Sequence, residues 1–193
     1  RFDIQQLQIT PIIRYEDIHV ERTNRLSNVT GSSSIDNVSA GLGVTYNPHK
    51  TLTVFASVHE GFAPPRVEDL IGGSGTITEV DGEESLNMEL GVRSQIGSQL
   101  SLQAAYFRND YDNLIAVGSI AGGSTPLSQG EALFSGVEVS ADGQWDNVFS
   151  RFAYTWLNEA EQSTAYKNVA SKAIVGVAGK RQPYAPEHTL TAA

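Results

Sequence analysis

No cysteine occurs in the 193 residues, so neither a disulfide framework nor a thiolate metal site is available, and cysteine usage leaves the redox compartment open. Cations are scarce: 13 Lys and Arg stand against 22 Asp and Glu, a formal net charge of −9. Binding along a nucleic-acid backbone requires cations that neutralise many phosphates, so the charge balance argues against nucleic acid as a partner and leaves a basic partner open. Long apolar runs are missing too. No stretch approaches the roughly 20 residues of a membrane helix, and the opening "RFDIQQLQIT" lacks the basic, apolar and small-residue layout of a signal peptide. A helical membrane protein is thereby excluded. With 40% hydrophobic and 18% charged residues, the chain is not disordered by composition and is long enough for one domain or for part of a larger one.

What the sequence does contain is a two-residue period. In "NVSAGLGVTY" one face carries Val38, Ala40, Leu42, Val44 and Tyr46, the other Ser39, Gly41, Gly43 and Thr45. "SLNMELGVRSQI" sets Leu86, Met88, Leu90, Val92 and Ile96 against Asn87, Glu89, Gly91, Arg93 and Gln95. "LQITPIIRYE" sets Leu7, Ile9, Pro11, Ile13 and Tyr15 against Gln8, Thr10, Arg14 and Glu16, with Ile12 as the misfit. The pattern predicts antiparallel strands over 6–17, 37–47, 51–62, 85–96, 100–117, 131–142, 147–160 and 183–193, with no amphipathic helix. The strand from Thr51 ends at Pro64 and Pro65, because proline offers no N–H to a ladder and biases its predecessor toward extended or turn geometry.

The connections alternate in length. Residues 46–51, 95–100 and 141–147 are short and built from Asn, Pro, Gly and Asp, which read as hairpin turns. Between them, 18–36, 63–84, 118–131 and 160–182 read as long polar loops. A compact domain seldom carries several long structureless loops, whereas outer-membrane barrels pair short turns at one end with long loops at the other. A barrel strand also escapes hydropathy windows tuned to helices. A soluble β-sandwich alternates in the same way, with its apolar face toward a core. Strand lengths near the 9–11 residues of a tilted membrane strand favour the barrel. Tyr15, Tyr46, Phe62, Tyr106, Phe152, Tyr154 and Trp156 fall on apolar faces, a placement that suits a membrane interface and ordinary core packing alike.

Catalytic chemistry finds no constellation. His19, His49, His59 and His188 lie in separate segments with no H-x-x-x-H pair. "IGGSG" and "AGGS" share only glycine content with phosphate loops, since no helix follows either. Ser135 lacks the G-x-S-x-G elbow and a paired base. The expectation is therefore no enzyme, no resident cofactor and no metal site.

An ordered set of motifs does carry a resemblance. "TPIIRYEDI", "TVFASVHEGFAPPRVEDL", "ESLNMELGVRSQIGSQLSLQAAYFRNDYDNLI", "LFSGVEVSADG" and "GKRQPYAPEHTLTAA" resemble consecutive stretches of the barrel of TonB-dependent outer-membrane receptors, with spacing most similar to the ferric dicitrate group. The resemblance covers nearly the whole chain and implies an all-β, antiparallel transmembrane β-barrel. Residues 1–193 would be part of one barrel domain, supplying about eight strands to a barrel of about 22. It implies an interior piece that begins at an upward strand, with the plug domain and the terminal strands outside it. It further implies energised uptake of a ferric chelate, such as ferric dicitrate or a siderophore, with outer-membrane lipid around the wall and TonB acting through the plug. A passive outer-membrane porin, and a soluble β-sandwich or adhesin domain, are the competing functions.

On that reading the polar-face charges Arg14, Glu16, Glu89, Arg93, Glu138 and Arg151 are expected to form a lumen-facing network, bonded to one another, to the plug or to water. An anionic chelate calls for arginines, whose forked donors suit carboxylates. Arg66, just past the prolines, is the first candidate ligand residue, followed by Arg22, Arg25, Lys180 and Arg181.

Overall fold

The computed structural model describes residues 1–77, 80–116, 127–167, 174–175 and 178–193. In chain order the elements are β1 (Phe2–Ile4), β2 (Leu7–Asn24), β3 (Val29–His49), β4 (Leu52–Ala63), α1 (Val67–Leu70), β5 (Glu83–Ile96), β6 (Leu100–Ala116), β7 (Leu127–Trp145), β8 (Val148–Gln162), β9 (Tyr166–Lys167), β10 (Ile174–Val175), β11 (Lys180–Arg181) and β12 (His188–Ala192). Ten strands form one sheet in the order β1-β2-β3-β4-β5-β6-β7-β8-β11, with β12 also paired to β8, and β9 and β10 form a separate pair. Each strand is antiparallel to its neighbour. The all-β expectation holds, and the only helix among the described residues is the single turn of α1, outside every predicted strand.

The short turns stand where their composition places them. Residues 97–99 and 146–147 close hairpins, with Gly97 and Asp146 at positive φ, as tight turns require. β4 ends at Ala63, immediately before the proline pair.

Three expectations need correction. Residues 18–36 are not a loop: β2 runs to Asn24 and β3 starts at Val29, in an unbroken ladder from Leu7↔Tyr46 to Asn24↔Val29. The alternation continues through this stretch, and β-branched Val20, Thr23, Val29 and Thr30 favour the extended chain. His19 meets Ser34 at 3.0 Å and Thr23 meets Thr30 at 3.0 Å across the ladder. The turn at 25–28 is set by Asn24, whose Oδ1 accepts from Leu26 N and Ser27 N, and by Asn28 at φ 53°. Second, Phe2–Ile4 form a strand of their own that turns at Gln5, φ 53°, into β2, so the first strand is not the upward one. Third, the expected last strand over 183–193 begins only at His188, opposite Trp156, while a short strand, β11, stands before it in the expected loop, with Lys180 opposite Gln162. The interruption "QPYAPE" holds two prolines, which cannot donate to a ladder. β7 also begins earlier than expected, at Leu127. The expected strand end at 117, the "AGGS" glycines at 121–124, and parts of the two later loops lie outside the described residues.

Residues directly opposite across a ladder share a face. One row runs Tyr46, Val54, Val92, Ala104, Val139, Tyr154, Leu190, and the neighbouring row on the other face runs Thr45, Phe55, Gly91, Ala105, Glu138, Thr155, Thr189. The apolar face is open to its surroundings: Ile13 is 80%, Tyr15 65% and Leu90 57% exposed. Among the described residues the buried hydrophobics are only Leu70, Ile71, Val80, Ala105, Ala132 and Ala160. A β-sandwich needs its apolar face pressed against a second layer, and among the described residues no such layer covers this one.

On the polar face, large rings lie over small neighbours. A Cβ added at Gly91 would stand 2.3 Å from Phe55 Cζ, and the Arg93 guanidinium lies 5.7 Å from the same ring's centroid. Gly91→Val in the full-length protein is therefore expected to displace Phe55 and to lower barrel stability by about 1–3 kcal/mol, the usual range for overpacking. The measurement is the urea midpoint of unfolding in lipid vesicles, and an unchanged midpoint would show that the ring is not confined.

Candidate functional site

The turns at 5–6, 50–51, 97–99 and 146–147 gather at one end of the sheet, and the connections that follow β4, β6 and β8, with the tight turn at 25–28, lie at the other. At the long-loop end the segment after β4 is not a free tether. Pro64 and Pro65 end the strand, and Arg66 opens the one-turn helix α1, closed by Asp69 N to Arg66 O at 2.9 Å and Ile71 N to Val67 O at 2.8 Å. Glu68 and Asp69 stand in its first turn, where negative charge is favoured. Beyond it, Ile71 bridges Ile77, and Gly75 at φ 76° closes the intervening turn.

This loop docks on the upper β2–β3 hairpin. Leu70, Ile71 and Val80 form a small core, with Val20, Ile35 and Val67 packed against it. Ile71 is fully buried because Gly31 leaves room: a Cβ there would lie 2.6 Å from Ile71 Cγ2. Two side chains of β2 hold the loop backbone. Arg22 Nη1 donates to Ile71 O at 2.6 Å, and Asn24 Nδ2 donates to Gly73 O at 2.8 Å. The docking face is the polar one, since Val20, Arg22 and Asn24 continue the alternation of Arg14 and Glu16 along β2. Pattern reading missed this site, although Ile18, Val20 and Ile35 intrude on an otherwise polar face there and so mark a covered patch.

The candidate cations take up separate positions. Arg66 is half exposed, with Nε donating to Asp69 Oδ2 at 3.2 Å. Arg22 belongs to the same unit through Ile71, and Arg25 sits exposed in the hairpin turn. Lys180 and Arg181 lie across the sheet beside β8, where Arg181 donates from Nε to Ala185 O and from Nη2 to Leu157 O, each at 3.0 Å. Arg22, Arg25 and Arg66 are thus near one another in the fold, and the other two are not.

The polar-face charges occupy the sheet below. Arg14 pairs with Glu16, whose Oε2 is buried with no partner. Arg93 donates to Gln103 Oε1 from Nε and Nη2, and Arg151 Nε meets Asp142 Oδ1 at 2.6 Å while lying 5.6 Å from the Phe149 ring centroid. Glu89 and Glu138 lie on the same face, in register with Ser57 and Thr155. Three local clusters result. The histidines remain apart: His19 contacts Ser34, His49 contacts Thr51 and His188 contacts Tyr154. Among the described residues no group of His, Asp or Glu could hold a metal ion. "IGGSG" follows α1 instead of preceding a helix, so no helix N-terminus faces it.

An antiparallel sheet with an exposed apolar face, a charged opposite face and its long connections gathered at one end has the make-up of a membrane β-barrel wall. The chain belongs to the TonB-dependent receptor-like β-barrel family, whose model matches residues 1–193. It is similar in fold to the siderophore receptor PiuA from Acinetobacter baumannii, at 19% identity and TM-score 0.72, over 97% of this chain and 28% of that one. It is likewise similar to the ferric-catecholate import receptor Fiu from Escherichia coli K12, at 19% identity and TM-score 0.68, over 98% and 29% of the two chains. The alcaligin outer-membrane receptor FauA from Bordetella pertussis matches at 23% identity and TM-score 0.60, over 90% and 29%. The chain thus spans less than a third of the length of these neighbours. No curated protein matches it.

Face assignment follows from register. In the full-length protein a spin label at Leu90 is expected to be quenched by a lipid-soluble relaxation agent and one at Glu89 by a water-soluble agent, since a shift by one residue exchanges the faces. Power-saturation electron paramagnetic resonance reads the difference, and the reverse pattern would refute the register.

Proposed function

We propose that this chain forms part of the wall of an outer-membrane receptor that takes up a ferric chelate in a TonB-dependent manner. The observation that carries the reading is the family match over the whole chain, joined to a sheet whose charged face turns away from its apolar face. The wall performs no bond chemistry in this reading. Its apolar face meets lipid, its charged face meets the plug and water, and its long-loop end forms the vestibule where substrate arrives. TonB acts through the plug. Ferric dicitrate or a siderophore is the proposed cargo, an iron complex carried as substrate and not held as a cofactor.

The proposed contact residues are the cations of the long-loop end, Arg66 first, then Arg22, Arg25, Lys180 and Arg181. Arg66 spends only its Nε on Asp69, which leaves two guanidinium nitrogens for a carboxylate or catecholate oxygen. The charged residues Arg14, Glu16, Glu89, Arg93, Glu138 and Arg151 are proposed to line the lumen and to fix the wall against the plug.

Uptake of several radiolabelled ferric chelates by cells with and without the full-length protein, in TonB-positive and TonB-negative backgrounds, tests the function. Accumulation of one chelate that needs both proteins is the expected result. Uptake indifferent to TonB would identify a passive porin instead. Within that framework, Arg66→Ala is expected to weaken binding of the transported chelate at low salt by on the order of tenfold, as the loss of one charge-assisted hydrogen bond of about 1.5–3 kcal/mol would do. Arg151→Ala, at the opposite end of the sheet, should lower barrel stability and leave binding unchanged. Equal affinity of wild type and Arg66→Ala would remove Arg66 from the site.

A further inference from the structure

β3 and β4 part company before either ends. Their pairing stops at Gly41↔His59, yet β4 continues to Ala63 on the ladder of β5, and β3 reaches up from Val29 on the ladder of β2. At the parting point the next rung is replaced by a side chain, with Ala40 N donating to Glu60 Oε2 at 2.8 Å. Above it a cleft of about 280 Å³ opens, bordered by Asn37 and Ser39 on one side and Glu60, Gly61, Glu84 and Ser85 on the other. The wall is split there between the upper β2–β3 hairpin and the β4–β5 pair.

The segment that leaves β4 crosses this split. Residues 67–77 start from the β4 side and bury Ile71 against Gly31 of β3, with Arg22 and Asn24 of β2 gripping the carbonyls of Ile71 and Gly73. These two side-chain hydrogen bonds tie the upper hairpin to the crossing segment. Two of the few buried hydrophobics among the described residues, Leu70 and Ile71, sit in this crossing segment, and Val80 lies just beyond it.

We propose that residues 67–77 are a latch, which holds the upper β2–β3 hairpin across the split and sets its angle to the rest of the wall, with Ala40–Gly41 as the hinge. Above Gly41 the hairpin has no rung to β4, so across the split the latch is what ties the hairpin to the β4–β5 pair and decides whether it stands there in one position or in many. Fully buried Ile71 is the pin. Arg22 and Asn24 add direction, because their bonds go to backbone oxygens and survive changes of side chain in the loop. The inference concerns the mechanics of the wall and does not rest on the identity of the cargo.

The test uses the full-length receptor in lipid nanodiscs, labelled at Ser27→Cys in the hairpin turn and Ser98→Cys in a turn at the opposite end; this chain offers no competing cysteine. Double electron–electron resonance should give one narrow distance distribution for the parent. Ile71→Asp places a charge in the small core and is expected to release the hairpin, giving a broad or bimodal distribution. Heat-modifiable migration on gels confirms that the barrel itself is folded. Should Ile71→Asp fail to assemble, Arg22→Ala combined with Asn24→Ala removes both grips without touching the core and is expected to broaden the distribution in the same sense. A narrow, unshifted distribution in a folded variant would show that strands flanking β2 hold the hairpin, and would overturn the latch.

Discussion

The constraint on which this structure rests is that a single antiparallel sheet satisfies its own backbone but not its own apolar face. Apart from a few bulges and the split above Gly41, neighbouring strands from β2 to β12 pair their backbones with one another inside the sheet, so along these ladders the strands need no water. What they need is something apolar against Leu42, Val54, Leu90, Val92 and Tyr106. Burying such side chains is worth roughly 25 cal/mol per Å² removed from water, and a soluble fold would fold a second layer over them. Among the described residues nothing does so. A hydrocarbon bilayer meets the requirement without a second layer, and because bilayers accept only structures whose backbone polar groups are paired internally, the ladder and the apolar face are two parts of one solution.

The opposite face inherits the consequences. Charge is expensive in hydrocarbon, so Glu89, Arg93, Glu138 and Arg151 must all turn the other way, and they do. On that side the sheet has no hydrophobic core to organise it. Order comes from local devices: rings laid over glycines, as Phe55 over Gly91, and short charge clusters such as Arg151 with Asp142. A compact hydrophobic cluster forms instead in the long loop after β4, where water surrounds the chain and burial is rewarded again. The chain therefore turns its apolar residues outward on the sheet and inward in the loop.

How far the sequence revealed this depends on which physical signal a residue carried. The central strands were legible because Leu86, Met88, Leu90 and Val92 alternate strictly with polar residues, and the end of β4 because two prolines cannot extend a ladder. The upper hairpin was hidden. "GSSS" and the residues from His19 to Asn24 show no long apolar face: His19, Glu21 and Thr23 are polar on one side, and on the other Val20, Arg22 and Asn24 are covered by the chain's own loop. Its strands are held by backbone pairing, which leaves no hydropathy trace, and by Ile18, Val20 and Ile35, which face the wrong way for a lipid-facing pattern. The docking of Ile71 was equally unreadable, because it depends on Gly31, forty residues away, presenting no Cβ. Of the proposed contact residues, the sequence could supply the type, arginine near the loops, but not which partner each already holds.

Those partners matter for how an anionic cargo would be received by a chain of net charge −9. Like charge repels beyond contact, screened over a length of about 8 Å at physiological salt, so attraction must come from cations whose charge is not cancelled nearby. Arg66 stands against the buried Asp69 carboxylate, and the pair is neutral from a distance. It can offer directional hydrogen bonds but little field. Arg22 and Arg181 are different: both are anchored, yet to carbonyl oxygens of Ile71, Ala185 and Leu157. A carbonyl fixes a guanidinium in place without removing its charge. On the proposed reading, Arg22 is the held cation that would attract at range, Arg181 is held as well but stands opposite Glu161 across the ladder, and Arg66 is a neutralised pair that would recognise oxygen geometry only on contact.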